Sequence, residues 1–387
     1  MFRQSKTREG RDSATSQLTT TAGRVRSLFL SVLLTVATSS TATAQYTEAI
    51  AKGRREIAEL VGSQIPGATV AVWLRGSSVW SEGIGWADRE ERQPASTSSR
   101  YRIGSISKSL TAAAAGRLLE EGKLKLDEDV RKHVPSFPRK KHVFTLRQLG
   151  AHTAGIRHYN GLEFYSNTSY KDVLKPLSVF SADPLLSVPG ERYTYTTYGW
   201  TLISAAVAAA AKKPFLAYMD EVVIKPLKMF STTPDHKLDP PKDRVTFYTR
   251  RREGRFVFAK KVDLSNKWAG GGYLSTADDI ARFAAAHAKA GFHKASTLRT
   301  LFTPAQLTNG KQIRYGFGWS SKKLNGRHVV GHTGGSVGGT CLMMLWPEEE
   351  LVVVVLTNVS DGKLGTLGAR ISRPFLAQIA KKGALHK

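Results

Sequence analysis

Apolar positions along this chain change period twice, and the changes divide it into three stretches. From Tyr46 to Val61 they recur at helical spacing, with Ile50, Ile57, Leu60 and Val61 on one face, which predicts a helix. Alternating runs follow over Ala68–Trp73 and Val79–Ile84, joined by Arg75-Gly-Ser-Ser78, a hairpin signature. An alanine-rich helical run then opens after Ser105 and meets a glycine stop at Glu121-Gly122. Residues 123–300 mix Pro- and Gly-rich loops with helical patterns, notably Trp200–Lys212 and Ala277–Ala290. The last stretch returns to strand patterns at Tyr315–Ser320, Arg327–Gly331, Thr340–Trp346 and Leu351–Leu356, and a final helix is expected from about Gly368 to Lys381. Strands at both ends with helices between predict an α+β fold: one sheet assembled from the two termini (about 46–104 and 310–387) and an inserted, mainly helical lobe (about 105–309). The helix after Ser105 would then start where the lobes meet, a usual place for a cleft.

The first 44 residues lie outside this pattern. Six basic residues precede the apolar run Leu28–Ala37, and small residues end it at Ala42-Thr-Ala44, as in a cleavable secretory signal. About ten apolar residues are too few to span a bilayer, which needs around 20, and no other segment qualifies. The Arg- and Ser-rich, acid-poor leader also fits a mitochondrial presequence. Localisation therefore reads as periplasmic or secreted, with mitochondrial import as the alternative. The net charge of +26 falls only to +22 without this segment, which takes six basic and two acidic residues with it. The basicity thus belongs to the body of the protein. It suits an anionic membrane or cell-wall surface, or is simply a solvated basic exterior. Nucleic acid is not expected, because no recognition motif or zinc site accompanies the charge. A single cysteine, Cys341, excludes an intrachain disulfide and a cysteine-rich metal site. The paired His328 and His332 fall in a strand-like run, where a spacing of four gives no helical convergence, so no metal is expected.

Three clusters carry chemistry. In the first, Ser105 and Lys108 stand three apart at the start of the alanine-rich helix. Residues so spaced are neighbours on a helix, with Cβ atoms roughly 5–6 Å apart. A serine hydroxyl is a weak nucleophile until a neighbouring base takes its proton, and the lysine amine could do so. Ser320–Lys323 shows the same spacing but reads as a turn between Trp319 and Asn325-Gly326, with no helix to orient it. The second cluster, Pro189–Trp200, is a loop entering a helix. Its Tyr195 could carry a proton if nearby cations lower its pKa from about 10, or could serve only aromatic packing. The third, Val330–Gly339, reads as a glycine-rich turn beside a strand, where an exposed N–H could hold an oxyanion.

In this order and at these separations, the clusters resemble the penicillin-recognising serine hydrolases: class C beta-lactamases, D-alanyl-D-alanine peptidases and related esterases. The resemblance covers nearly all of the chain beyond the leader, including Val79–Asp88, Leu118–Asp127 and Gly270–Thr276. More narrowly, Gly155–Tyr159, Lys267–Gly272 and Tyr-x-Thr at Tyr195 resemble the mitochondrial serine beta-lactamase-like branch of animals. The family resemblance implies that Ser105 attacks a carbonyl and forms an acyl-enzyme, with Lys108 and Tyr195 as the acid–base pair and no cofactor. Half-neutrality near pH 7 would require the lysine pKa to fall from roughly 10.4, at a cost of about 4 kcal/mol. It also implies an oxyanion hole from the N–H groups of Ser105 and Gly335, and substrate contacts from Thr197, His332, Thr333 and Gly334.

Two positions depart from the family pattern. Thr197 replaces a common asparagine, and His332 replaces the lysine of Lys-Thr-Gly. A histidine near its reference pKa of about 6.5 is largely neutral at pH 7, so the fixed cation for a substrate carboxylate would be missing. The expected substrate is thus a peptide or small ester less anionic than penicillin. True beta-lactamase activity remains an alternative, and so does a weakly catalytic structural homo-oligomer, because the animal branch assembles.

Overall fold

The computed structural model describes residues 45–385; the leader proposed for residues 1–44 lies outside them. From Tyr46 onward the described residues pack as one compact unit. The principal elements are α1 (Thr47–Ala58), β1 (Gly67–Leu74), β2 (Ser77–Asp88), β3 (Gln93–Pro94), α2 (Ile106–Glu120), α3 (Tyr198–Ala211), α4 (Ala277–Ala285), β4 (Ser320–Leu324), β5 (Arg327–Ser336), β6 (Gly339–Trp346), β7 (Leu351–Thr357) and α5 (Leu367–Leu385). The seven strands form one antiparallel sheet in the order β3-β2-β1-β7-β6-β5-β4. The two ends of the chain therefore meet at β1 and β7, paired from Ala68↔Thr357 to Leu74↔Leu351.

Strand β7 is apolar almost without interruption because both faces of the sheet are covered. Side chains alternate along a strand, so Val352, Val354 and Leu356 enter one core while Leu351, Val353 and Val355 enter the other. The second core is closed by α1 and α5 through Ile50, Ile57, Ile371 and Phe375. On the opposite face, α4 packs on the sheet through Ile280 and Phe283, and α2 lies within the same core. Twelve of the 15 residues of α2 are buried, the polar Ser107, Lys108, Ser109 and Thr111 among them, so the helix runs through the interior rather than along its surface.

Several boundaries differ from expectation, each for a local reason. Tyr315–Ser320 is not a strand. Gly318 adopts φ +77° and Gly316 N–H donates to the Trp319 carbonyl at 2.8 Å, so the chain turns there, and β4 begins only at Ser320. Ser320–Lys323, expected to be a turn, is therefore on a strand, with the Ser320 hydroxyl donating to the Gly331 carbonyl at 2.8 Å. The supposed glycine-rich turn continues β5 as far as Ser336. Helix α4 stops at Ala285 because the His287 ring pairs with the Phe283 carbonyl at 2.8 Å, while its backbone N–H turns to Ala284. Two small three-stranded sheets interrupt the helical region. One places Tyr101–Arg102 beside Tyr273–Ser275, with Thr233–Pro234 on the far side. The other joins Tyr248–Arg250 to Phe256–Phe258 and Val359–Ser360. Among the described residues, no single helix is long and apolar enough to cross a membrane.

Candidate active site

Ser105 is presented by a turn held from several sides. Arg102, on the short strand that leads into the turn, is buried. Its Nε donates to Asp235 at 2.6 Å and its Nη1 to the Val337 carbonyl at 2.7 Å, while Arg244 reaches the other Asp235 oxygen at 3.1 Å. Ile103 N–H donates to the Tyr273 carbonyl at 3.1 Å. Gly104 then takes φ +51°, a left-handed conformation that favours glycine, and a Cβ there would also sit 2.7 Å from the Gly335 carbonyl oxygen. Ser105 follows as the N-cap of α2, and its N–H has no acceptor among the described residues. A helix N-terminus leaves such donors free and is positive.

Lys108, one turn along, is fully buried. Its Nζ lies 3.0 Å from Ser105 Oγ, 3.3 Å from Thr197 Oγ1 and 2.7 Å from the Gly270 carbonyl oxygen. No carboxylate pairs with it among the described residues. Burial, and secondarily the charge of Lys267, push its pKa well below the usual lysine value. Deprotonation is thus easier than for a solvated lysine. Once neutral, the amine can serve Gly270 and Thr197 with its two N–H bonds, which leaves the lone pair facing the serine hydroxyl.

The Tyr195 ring lies 4.9 Å from Lys108 Nζ, and Tyr195 and Ser105 line the same cavity. Its pKa does not fall as a cationic setting would make it: burial raises it, opposed only in part by the nearby Ser105 hydroxyl. Tyr195 therefore rests as a neutral phenol, able to relay a proton but not a standing base.

Strand β5 forms the facing wall. It pairs with β4 only over Arg327–Gly331, so beyond that point its outer edge has no strand partner. Thr333, Gly335 and Ser336 line a cavity of about 260 Å³ together with Ser105, Tyr195, Thr197, Gly270 and Gly271. Gly334 lies behind them, packed so closely on the serine turn that a Cβ would stand 2.0 Å from the Ile103 carbonyl oxygen. His332 is also set back and buried. Its Nδ1 pairs with the Thr333 carbonyl at 2.6 Å and its Nε2 with the Tyr315 hydroxyl at 2.7 Å. The carbonyl can only accept, so Nδ1 carries the proton and Nε2 accepts from Tyr315. Burial, then Lys108, lowers the His332 pKa to about 3, so it contributes no cation at neutral pH.

Sequence reasoning passed over four residues that the fold brings here. His152, buried with φ +62°, packs its ring 4.3 Å from Tyr195 and accepts from Thr196 N–H at 3.2 Å. His158 accepts from Thr197 N–H at 3.3 Å, and burial lowers its pKa to about 4. Tyr159 lines the cavity, with its ring 4.2 Å from that of His158. Lys267 lines it too. The segments Gly155–Tyr159 and Lys267–Gly272 were visible as family framework, but nothing in their spacing assigns them to the site. A larger hollow of about 430 Å³ beside α3 is lined mainly by apolar side chains such as Val134, Ala208, Phe215 and Trp268, and gathers no comparable set of groups.

The Beta-lactamase family model matches residues 54–372. The mitochondrial serine beta-lactamase-like protein LACTB of Homo sapiens is 30% identical over 418 residues, covering 80% of this chain and 76% of that protein. Penicillin-binding protein 4* of Bacillus subtilis is 25% identical over 313 residues, covering 76% of this chain and 68% of its own length. Among solved structures, the octameric penicillin-binding protein homologue from Pyrococcus abyssi superposes with a TM-score of 0.74 at 25% identity, covering 85% of this chain and 77% of that one.

Proposed function

The chain belongs to the beta-lactamase family and has its α+β fold, and on that premise we propose that it is a serine hydrolase, a peptidase or esterase, working through an acyl-enzyme at Ser105. One observation carries the reading: a fully buried lysine amine without a carboxylate partner, 3.0 Å from the serine hydroxyl. Neutral Lys108 takes the Ser105 proton as Oγ bonds to the substrate carbonyl carbon. The carbonyl oxygen becomes an oxyanion held by the Ser105 and Gly335 N–H groups; a single donor of this kind is worth on the order of 3–4 kcal/mol. As the tetrahedral intermediate collapses, the proton on Lys108 passes through the Tyr195 hydroxyl to the leaving amine or alkoxide. Water then loses a proton along the same path and releases the acid, restoring Ser105. Thr197 holds the lysine amine, and Thr333 lines the substrate channel; His332 and Gly334 shape that wall from behind.

Labelling with a fluorophosphonate, followed by intact mass, tests this. One adduct on the folded protein that is lost in Ser105→Ala is expected. No adduct, or equal labelling of the variant, sinks the proposal. A true beta-lactamase is the alternative within the same chemistry, and turnover of a chromogenic cephalosporin above that of simple esters would favour it. The octameric relative motivates a homo-oligomeric state, which a strictly monomeric mass by light scattering would remove. For residues 1–44 we retain an export leader, with mitochondrial import the alternative that the mitochondrial relative supports.

A further inference from the structure

Among the described residues lining the cavity at Ser105, one formally charged side chain remains once His158 is neutral: Lys267. It is 4% exposed, held on the short helical segment Ser265–Lys267 that leads into Gly270 and Gly271. Its Nζ donates to the Phe164 carbonyl at 3.0 Å and lies over the rings of Tyr159 and Phe164 at 4.7 and 5.0 Å. An ammonium has three donors, and only this one acceptor is found for it among the described residues. No carboxylate pairs with it there, and none lines the cavity. Pinning one carbonyl needs no charge, and burying a cation without a counter-ion is unfavourable. The groups facing it are Arg102, Lys108, His158 and Tyr159, none of them an anion at neutral pH. Burial, then Arg102, lowers its pKa to about 7, a value that an arriving anion would raise.

We propose that Lys267 is the specificity residue for a carboxylate carried by the ester or amide that Ser105 attacks. The inference rests on Ser105 as nucleophile and names the substrate class of that site. It replaces the expectation of a less anionic substrate: His332 supplies no cation, but a different element does. The aromatic walls of Tyr159 and Phe164 limit water around the ammonium and so strengthen its pairing with a carboxylate.

Matched ester pairs test the proposal. One pair carries the charge on the acyl side (p-nitrophenyl hemisuccinate against its methyl ester), the other on the leaving side (4-acetoxybenzoate against methyl 4-acetoxybenzoate). In wild-type protein, kcat/KM for the carboxylate is expected to exceed that of its neutral partner by about tenfold or more in at least one pair. In Lys267→Gln, which keeps a donor for the Phe164 carbonyl, that ratio falls towards one. The ratio cancels any general effect of the substitution on Lys108. No preference in wild type for either pair, or a ratio unchanged in the Gln variant, overturns the proposal. Binding to Ser105→Ala is read separately by calorimetry. There 4-acetoxybenzoate should bind more tightly than its methyl ester, and Lys267→Gln in the same background should abolish the difference. If fluorophosphonate fails to label Ser105, the hydrolase reading fails, and this binding comparison still decides the role of Lys267.

Discussion

Gly334→Ala offers a sharp test of how the serine turn and the β5 wall are held together. An added Cβ would stand 2.0 Å from the Ile103 carbonyl oxygen and 3.0 Å from its carbon. Carbon–oxygen contacts under 3.0 Å are essentially never seen, so the wall and the turn must separate by about 1 Å. Both partners of the clash are backbone, leaving no flexible side chain to give way. Ile103 is two residues before Ser105 and Gly334 is next to Gly335, so the displacement falls on the spacing between the proposed nucleophile and the proposed oxyanion donors. Overpacking of this kind costs about 1–3 kcal/mol of stability. A 1 Å misplacement of reacting groups costs on the order of 100-fold in rate. Thermal unfolding and the second-order rate of fluorophosphonate labelling measure the two effects. Gly335→Ala is the control: its Cβ meets nothing within 4 Å, so stability should change by no more than about 0.5 kcal/mol. A Gly334→Ala protein with unchanged Tm and a labelling rate within about threefold of wild type would refute the argument that this contact sets the geometry.

Asp235→Ala leaves Arg102 and Arg244 without their shared carboxylate, and Arg102 is buried; urea unfolding should show a loss of about 3–5 kcal/mol, and a loss below about 1 kcal/mol would contradict the assigned role. Stability should fall on acidification from pH 7 to 5, because burial holds the pKa values of His287 and His332 at about 3 and that of His152 well below 6.5. The unfolded chain takes up these protons first, so the stabilisation is complete above pH 6.5 and is lost towards the folded values, at about 1.4 kcal/mol per pH unit for each histidine. A Tm that stays flat or rises over that range would oppose the reading, and His287→Gln should flatten the slope by one proton. Activity should also disappear as pH falls through the depressed Lys108 value, since only the neutral amine accepts the serine proton; Lys267→Gln removes one of the two causes of that depression and should move this acid limb to higher pH. A pH–rate profile that keeps its position in the variant would exclude the coupling.

Residue pattern alone carried much of the architecture. The run Leu351–Thr357 and the hairpin of β1 and β2 were legible because side chains alternate along a strand and both sheet faces are covered by apolar helices. Ser105 and Lys108 were legible because three-residue spacing on a helix fixes neighbours without help from the rest of the chain. Local pattern misled where the deciding contact came from elsewhere. The glycines of His332–Ser336 suggested a turn, yet pairing with β6 extends the strand through them. The end of α4 was set by where the His287 ring packs.

The electrostatics belong to the tertiary structure. A sequence shows that Lys108, Tyr195, His332 and Lys267 are present, but not which is desolvated or what faces it. Burial pushes the Lys108 pKa well below the usual lysine value, keeps Tyr195 protonated and leaves His332 uncharged at neutral pH. Folding also carries Lys267, 159 positions beyond Lys108, to the wall of the same cavity. The sequence by itself determined the hairpin of β1 and β2, the run Leu351–Thr357, the helix after Ser105 and the spacing of Ser105 and Lys108, because those depend on short-range stereochemistry. The protonation states and the cation beside Ser105 were decided only in three dimensions, because desolvation and Coulomb interactions depend on distance through space rather than along the chain.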